Sequence, residues 1–254
     1  MSRKIKLGEK LFIGDGNFTI IAGPCAVENY QQIDEIGSFL NKLGVKILRG
    51  GAYKPRTKPD SFQGLGLEGL RLLYETGRKY DLKIISEIMD IRDIEKACAY
   101  VDIFQIGSRN MQNFSLLKEI GRTKKPIMLK RGMSATINEW IMAAEYIRRA
   151  GNEDIILCER GIRTFEDYTR NTLDLMSVSI LKDLTEYPVF VDPSHGTGRK
   201  ELILPASKAA KVLGADGIMV EIHPRPEKAL SDGFQSLDFI EFENLLHIIG
   251  DSKP

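Results

Sequence analysis

Eight short apolar runs punctuate this sequence, and between them lie longer stretches with helical periodicity. The runs are Phe18–Gly23, Val45–Gly50, Lys83–Ile88, Ile103–Gly107, Pro126–Arg131, Asp154–Arg160, Pro188–Asp192 and Gly217–Ile222. Most are near-continuous in apolar residues rather than alternating, as parallel strands buried on both faces require. The intervening stretches read as amphipathic helices. In residues 29–43, Ile33, Ile36, Leu40 and Leu43 form one stripe; Asn29 and Gln32 stand at N-cap and N3 spacing, and Gly44 follows the end. Thr136 and Glu139 have the spacing of a capping box ahead of Trp140, Ala144 and Ile147, and a last helix carries Phe239, Phe242, Leu245, Leu246 and Ile249.

Strand and helix alternating eight times predict a closed (β/α)8 barrel of the TIM type. That fold takes about 250 residues as one domain, and the chain has 254. A doubly wound open sheet is the alternative, but no Gly-x-Gly-x-x-Gly turn follows the first run. Within residues 1–17, Ile5-Lys-Leu7 and Leu11-Phe-Ile13 predict a small hairpin that closes the bottom of the barrel. No Pro-, Ser- or charge-rich linker interrupts the rest, so residues 1–254 are expected to form a single catalytic domain without an added regulatory one.

In such barrels the chemistry stands at the C-terminal ends of the strands. Two constellations gather there. The first is a ring of cations: Arg49, Lys54, Arg56, Arg109, Lys130 and Arg160. Cations from several strands converging on one mouth repel one another unless polyanions bind, and Arg in particular fits phosphate and carboxylate. A substrate, or two, rich in those groups is implied. The second is Cys25, His195, Glu221 and Asp232, at the ends of the first, seventh and eighth runs, which become neighbours when the barrel closes. A thiolate, imidazole and carboxylate set suits Mn, Fe, Co or Zn and poorly suits Ca or Mg. Cys98 and Cys158 lack such company and read as structural, His223 reads as a neighbour of the ligand set, and His247 as a helix packing or surface residue.

Composition narrows the class. Lys plus Arg number 36 against 35 for Asp plus Glu, so nothing points to nucleic acid or a membrane surface. Three irregularly spaced Cys fit a reducing compartment, and no run approaches the roughly 20 apolar residues of a membrane span. With no apolar leader at the N-terminus, a cytoplasmic protein is expected.

Several longer motifs occur together: Gly23-Pro-Cys-Ala-Val-Glu28, Arg49-Gly-Gly-Ala-Tyr-Lys-Pro-Arg-Thr57, Ser61-Phe-Gln-Gly-Leu-Gly66, Gln105-Ile-Gly-Ser-Arg-Asn-Met-Gln-Asn113, Leu129-Lys-Arg-Gly132, Cys158-Glu-Arg-Gly161, Val191-Asp-Pro-Ser-His-Gly-Thr-Gly198 and Val220-Glu-Ile-His-Pro224. In this combination the chain resembles the type I 3-deoxy-D-arabino-heptulosonate 7-phosphate (DAHP) synthases of the β subgroup, from about Phe18 to the end. The resemblance implies a metal held by Cys25, His195, Glu221 and Asp232. It implies phosphoenolpyruvate on Arg49, Lys54, Arg109, Lys130, Arg160, the Ser108 backbone and, through water, Glu87. It puts the phosphate of erythrose 4-phosphate near Arg56 and Thr57, with Asp192 near the reacting end of the sugar. Lys54, crowded by cations, is the candidate proton donor. A homodimer or homotetramer is also implied; without a regulatory domain, feedback inhibition by aromatic amino acids is not expected unless a separate protein supplies it.

Three other readings compete. A 3-deoxy-octulosonate 8-phosphate synthase runs the same chemistry on arabinose 5-phosphate, but that family carries a Lys-Ala-Asn-Arg-Ser type motif where this chain has Lys54-Pro-Arg-Thr57. A Schiff-base aldolase would use Lys130 or Lys54 as an amine nucleophile and would have no need of Cys25 and Glu221. A non-catalytic barrel serving a partner would not need the complete ligand set.

Overall fold

Eight parallel strands close on themselves in the computed structural model, which describes residues 2–55 and 58–251. Ahead of them, β1 (Ile5–Lys6) and β2 (Phe12–Ile13) pair antiparallel with Ile5 opposite Ile13. The barrel strands are β3 (Thr19–Gly23), β4 (Ile47–Arg49), β5 (Lys83–Glu87), β6 (Ile103–Ile106), β7 (Ile127–Lys130), β8 (Ile155–Glu159), β9 (Val189–Val191) and β10 (Gly217–Glu221). β10 pairs with both β9 and β3, which closes the ring and makes the ends of β3, β9 and β10 neighbours. Each of the eight apolar runs is a barrel strand, shorter by one to three residues than its run.

Helices cover the outside: α1 (Tyr30–Lys42), α2 (Leu67–Tyr80), α3 (Ile94–Ala97), α4 (Phe114–Ile120), α5 (Ile137–Arg149), α6 (Met176–Leu184), α7 (Pro193–Thr197), α8 (Ile203–Val212) and α9 (Phe239–Asp251). The predicted caps form. The Asn29 side chain accepts the Gln32 N–H, and Thr136 and Glu139 bond reciprocally as a capping box. The Gln32 side chain differs from a capping-box partner: it accepts the N–H of Glu28, one residue before the cap. α5 anchors the wall through Trp140, fully buried, whose Nε1 donates to the Leu129 carbonyl at 3.2 Å.

The core has two layers. Between sheet and helices lies the larger one, around Leu48, Phe104, Leu129, Trp140 and Phe242. Inside the barrel, Ile21, Ile47, Ile85, Ile103, Met128, Ile156, Cys158, Phe190 and Met219 fill the lumen. Ile5 and Ile13 belong to that inner cluster and Leu7 and Leu11 pack against it, so the hairpin plugs the lower end as expected. A filled lumen leaves the upper end for chemistry.

Candidate active site

Strand parity decides which strand-end residues reach the lumen, because successive side chains point to opposite faces. Arg49 follows lumen-facing Ile47 by two residues, Glu87 follows Ile85, Lys130 follows Met128, Arg160 follows Cys158, Asp192 follows Phe190 and Glu221 follows Met219. All six are inward by that count. Arg131 and Glu159 have the opposite parity. The two pair at 3.0 Å behind the sheet, and Arg131 also bonds Asp174 at 2.8 Å. Of the two cations that end the β7 run, only Lys130 therefore joins the site.

Four of these, Arg49, Glu87, Lys130 and Arg160, line a cavity of about 440 Å³, in the range of small-molecule sites. Eight cationic side chains (Arg49, Lys54, Lys58, Arg109, Lys130, Arg160, Arg163 and Arg170) face two carboxylates, Glu87 and Asp232. Ser108, Gln105 and His195 also line it. Arg49, Lys54, Lys130 and Arg160 are buried. Neither Lys54 nor Arg160 makes an ion pair among the described residues, and burial pushes Arg160 below its ordinary value. Buried cations left without carboxylates are costly unless an anion completes them. Burial pushes the Glu87 carboxyl up against the lowering charges of Lys54 and Lys130. Glu87 also depends on Gly107: a Cβ there would stand 2.1 Å from its Oε1.

Where His195 and Asp232 line the cavity, donor atoms of Cys25, His195, Glu221 and Asp232 all lie within 4.8 Å of one another. Ligands on opposite sides of one ion at about 2.0–2.3 Å are a little over 4 Å apart, so the cluster needs only small side-chain shifts to hold a divalent transition metal. The donor chemistry fits as well. Cys25 Sγ is 3.3 Å from Asp232 Oδ2, 3.0 Å from Ser231 Oγ and 2.9 Å from Lys54 Nζ. Burial, reinforced by Glu221 and opposed by Lys54, pushes its thiol up to about 12. His195 Nε2 is 3.3 Å from Glu221 Oε1, which also accepts from Arg49 Nη1 at 2.7 Å. Burial would raise the Glu221 carboxyl, but His195 when protonated, and the charges of Arg49 and Lys54, outweigh it and hold the group far below the ordinary range. Asp232 occupies the left-handed region at φ 52°, which Asp tolerates better than most residues and which often marks functional sites.

Asp192 stands where the strand ends, yet its side chain is fully buried and already engaged. It caps α7, accepting the His195 N–H at 2.9 Å, and its Oδ2 contacts His195 Nδ1 at 2.7 Å and Lys130 Nζ. That carboxylate is held between the His195 ring and Lys130. Arg56 and Thr57 lie outside the described residues. Arg109 is an exposed rim residue whose Nη1 donates to the Pro55 carbonyl at 3.4 Å. Cys158 is packed in the lumen, in keeping with a structural role. Sequence reasoning missed Arg170, Asn171 and Gln235. Arg170 and Asn171 line the cavity, and Gln235 Nε2 donates to Glu221 Oε2 at 2.5 Å.

Comparison with known proteins agrees with this geometry. The sequence model of the DAHP synthetase I family matches residues 3–254. A phospho-2-dehydro-3-deoxyheptonate aldolase of Thermotoga maritima is 55% identical over 242 residues, covering 95% of this chain and 71% of the relative. A 2-dehydro-3-deoxyphosphooctonate aldolase of Geobacter sulfurreducens is 31% identical over 264 residues, covering 97% and 96%. The crystal structure of a Thermotoga maritima phospho-2-dehydro-3-deoxyheptonate aldolase (DAHP synthase) superposes with a TM-score of 0.95 at 54% identity, covering 98% of this chain and 73% of that one. A truncated form of the Thermotoga maritima 3-deoxy-D-arabino-heptulosonate 7-phosphate synthase gives 0.91 at 50% identity, covering 98% and 91%. Over nearly its whole length, the chain belongs to the DAHP synthetase I family.

Proposed function

We propose that this protein condenses phosphoenolpyruvate with erythrose 4-phosphate and water to give 3-deoxy-D-arabino-heptulosonate 7-phosphate and phosphate. The observation that carries this reading is the junction of two elements: a four-residue donor cluster, two of whose members, His195 and Asp232, line a cavity that also carries eight cations. The first holds an electrophile, the second holds two polyanions. Erythrose 4-phosphate is favoured over arabinose 5-phosphate because identity to the heptonate relative is 55%, against 31% for the octonate relative.

Cys25, His195, Glu221 and Asp232 would hold one divalent transition metal, Mn, Fe, Co or Zn. When bound, such an ion polarises the aldehyde oxygen of the sugar phosphate. Arg49, Lys130, Arg160 and Arg109 hold the phosphate and carboxylate of phosphoenolpyruvate, with the Ser108 backbone and, through water, Glu87. Arg56 and Thr57 take the sugar phosphate. Held together, C3 of the enol lies against the aldehyde carbon, and the cations stabilise the negative charge that accumulates. Lys54 would give a proton from Nζ to the new alkoxide. Asp192 keeps the His195 ring oriented and Lys130 fixed. Water then adds at C2, and the C–O bond to phosphate breaks.

Phosphoenolpyruvate labelled with 18O in its bridging oxygen tests the chemistry. Label in the released phosphate is expected, and label in the heptulosonate would contradict C–O cleavage. The reading further proposes a cytoplasmic homodimer or homotetramer, so elution at the 28.6 kDa of one chain would remove the assembly. Among the described residues, no helix is long and apolar enough to cross a membrane.

A further inference from the structure

Between β8 and α6 the chain crosses over the donor cluster, and two adjacent residues of that crossing touch its surroundings on three sides. The backbone N–H groups of Arg170 and Asn171 donate to the carbonyls of Thr197 and Gly196 at 2.9 and 3.1 Å. Asn171 Nδ2 donates to the carbonyl of His195 at 2.9 Å. Arg170 Nη1 donates to Gln235 Oε1 at 2.8 Å and lies 3.3 Å from Asp232 Oδ2. Gln235, itself fully buried, passes the contact on by donating Nε2 to Glu221 Oε2 at 2.5 Å. Two glycines admit the crossing. A Cβ on Gly161 would stand 2.6 Å from Asn171 Cβ, and one on Gly198 would stand 2.5 Å from Arg170 Cβ.

We infer that Arg170, Asn171 and Gln235 form a strap that positions three of the four cluster residues, His195, Asp232 and Glu221, and thereby sets the affinity of the metal site. This rests on the reading of that cluster as a metal centre. Residues that orient ligands are typically worth 10–100-fold in metal affinity. Gln235 has a particular part. Arg49 and the imidazole already claim Glu221 Oε1, so Gln235 fixes the second oxygen and with it the rotation of the carboxylate. Glu221 then faces the cluster with a settled geometry before any ion arrives. The three are positioning residues, since each acts through a ligand.

Mn(II) titration of the EDTA-stripped full chain, followed by electron paramagnetic resonance, tests the strap. Gln235→Leu and Asn171→Ala change no charge, so any effect reports geometry. Each is expected to weaken Mn(II) binding 10–100-fold and to alter the spectrum of the bound ion. Tyr168→Ala, at a largely exposed side chain of the same loop, is expected to bind like the wild type. Wild-type affinity and spectrum in both strap variants would overturn the inference while leaving the metal centre standing. Equal weakening in Tyr168→Ala would also overturn it, by showing general loosening of the loop. If the wild type itself takes up no Mn(II), or if Cys25→Ala binds it as tightly as the wild type, the metal reading fails and the strap with it.

Discussion

The Asp192 carboxylate grips the His195 ring at Nδ1, 2.7 Å away, and leaves Nε2 facing Glu221 at 3.3 Å. Burial would raise Asp192, but His195 and Lys130 hold its carboxyl well below the ordinary range, so it is an anion that accepts. Nδ1 therefore carries the proton and Nε2 offers its lone pair to the cluster, an arrangement common behind metal-bound histidines. Asp192→Asn reverses the polarity, because the amide donates where the carboxylate accepted. Mn(II) affinity is expected to fall about 10–100-fold with the fold intact, as read by titration and circular dichroism. Unchanged affinity would contradict the assigned tautomer.

Cys25 makes metal uptake depend on pH in a definite direction. Its thiol, pushed up to about 12 chiefly by burial, is protonated throughout the neutral range when no ion is present. Binding as thiolate must expel that proton. Burial lowers His195, and Glu221 and Asp232 are held below their ordinary values, so these three are already in ligand form near pH 8. Calorimetry in buffers of different ionisation enthalpy should give about one proton released per ion. Apparent affinity should then rise up to about tenfold per pH unit. Release of no proton would show that Cys25 is not a ligand.

Arg49 and Glu221 form a buried pair at 2.7 Å. Removing one partner of such a pair strands the other charge and costs about 3–5 kcal/mol. Arg49→Ala is expected to lower the unfolding free energy of the stripped protein, read from its urea transition, by that amount and to raise KM for phosphoenolpyruvate. A stable variant with unchanged KM would place Arg49 outside the binding machinery.

Two glycines should respond oppositely to alanine. Gly23 ends β3 with φ +152°, and a Cβ there would meet the Arg49 carbonyl at 2.0 Å. Gly23→Ala must push β3 and β4 apart where Cys25 and Arg49 emerge, at a cost of about 1–3 kcal/mol or more. Gly250 lies in α9 with nothing within 4 Å of its Cβ direction. Gly250→Ala is expected to stabilise by about 0.5–1 kcal/mol. Thermal unfolding of both variants checks the contrast, and a destabilised Gly250→Ala would count against it.

The barrel was legible because parallel strands buried on both faces appear as apolar runs, and the strand ends then point to the site. The donor cluster followed from β10 closing on β3, which brings Cys25 beside Glu221. Lumen parity, set by neighbours such as Met128 and Cys158, turns Lys130 and Arg160 inward and Arg131 and Glu159 outward. Asp192 was visible as a strand-end acid, but its partner is fixed by the α7 turn, which sequence spacing does not orient. Arg170, Asn171 and Gln235 sit in segments without periodicity. Their importance arises only from contacts across loops, such as that between Arg170 and Gln235, 65 positions apart, which no local pattern encodes.

Phosphate release from phosphoenolpyruvate by the purified protein tests the central claim most directly. It is measured with erythrose 4-phosphate and with arabinose 5-phosphate, each before and after EDTA treatment and again on adding Mn(II). Release that requires erythrose 4-phosphate, stops with EDTA and returns with Mn(II) is the predicted result. Turnover that survives complete metal removal, or that prefers arabinose 5-phosphate, would contradict the metal centre or the sugar assignment respectively.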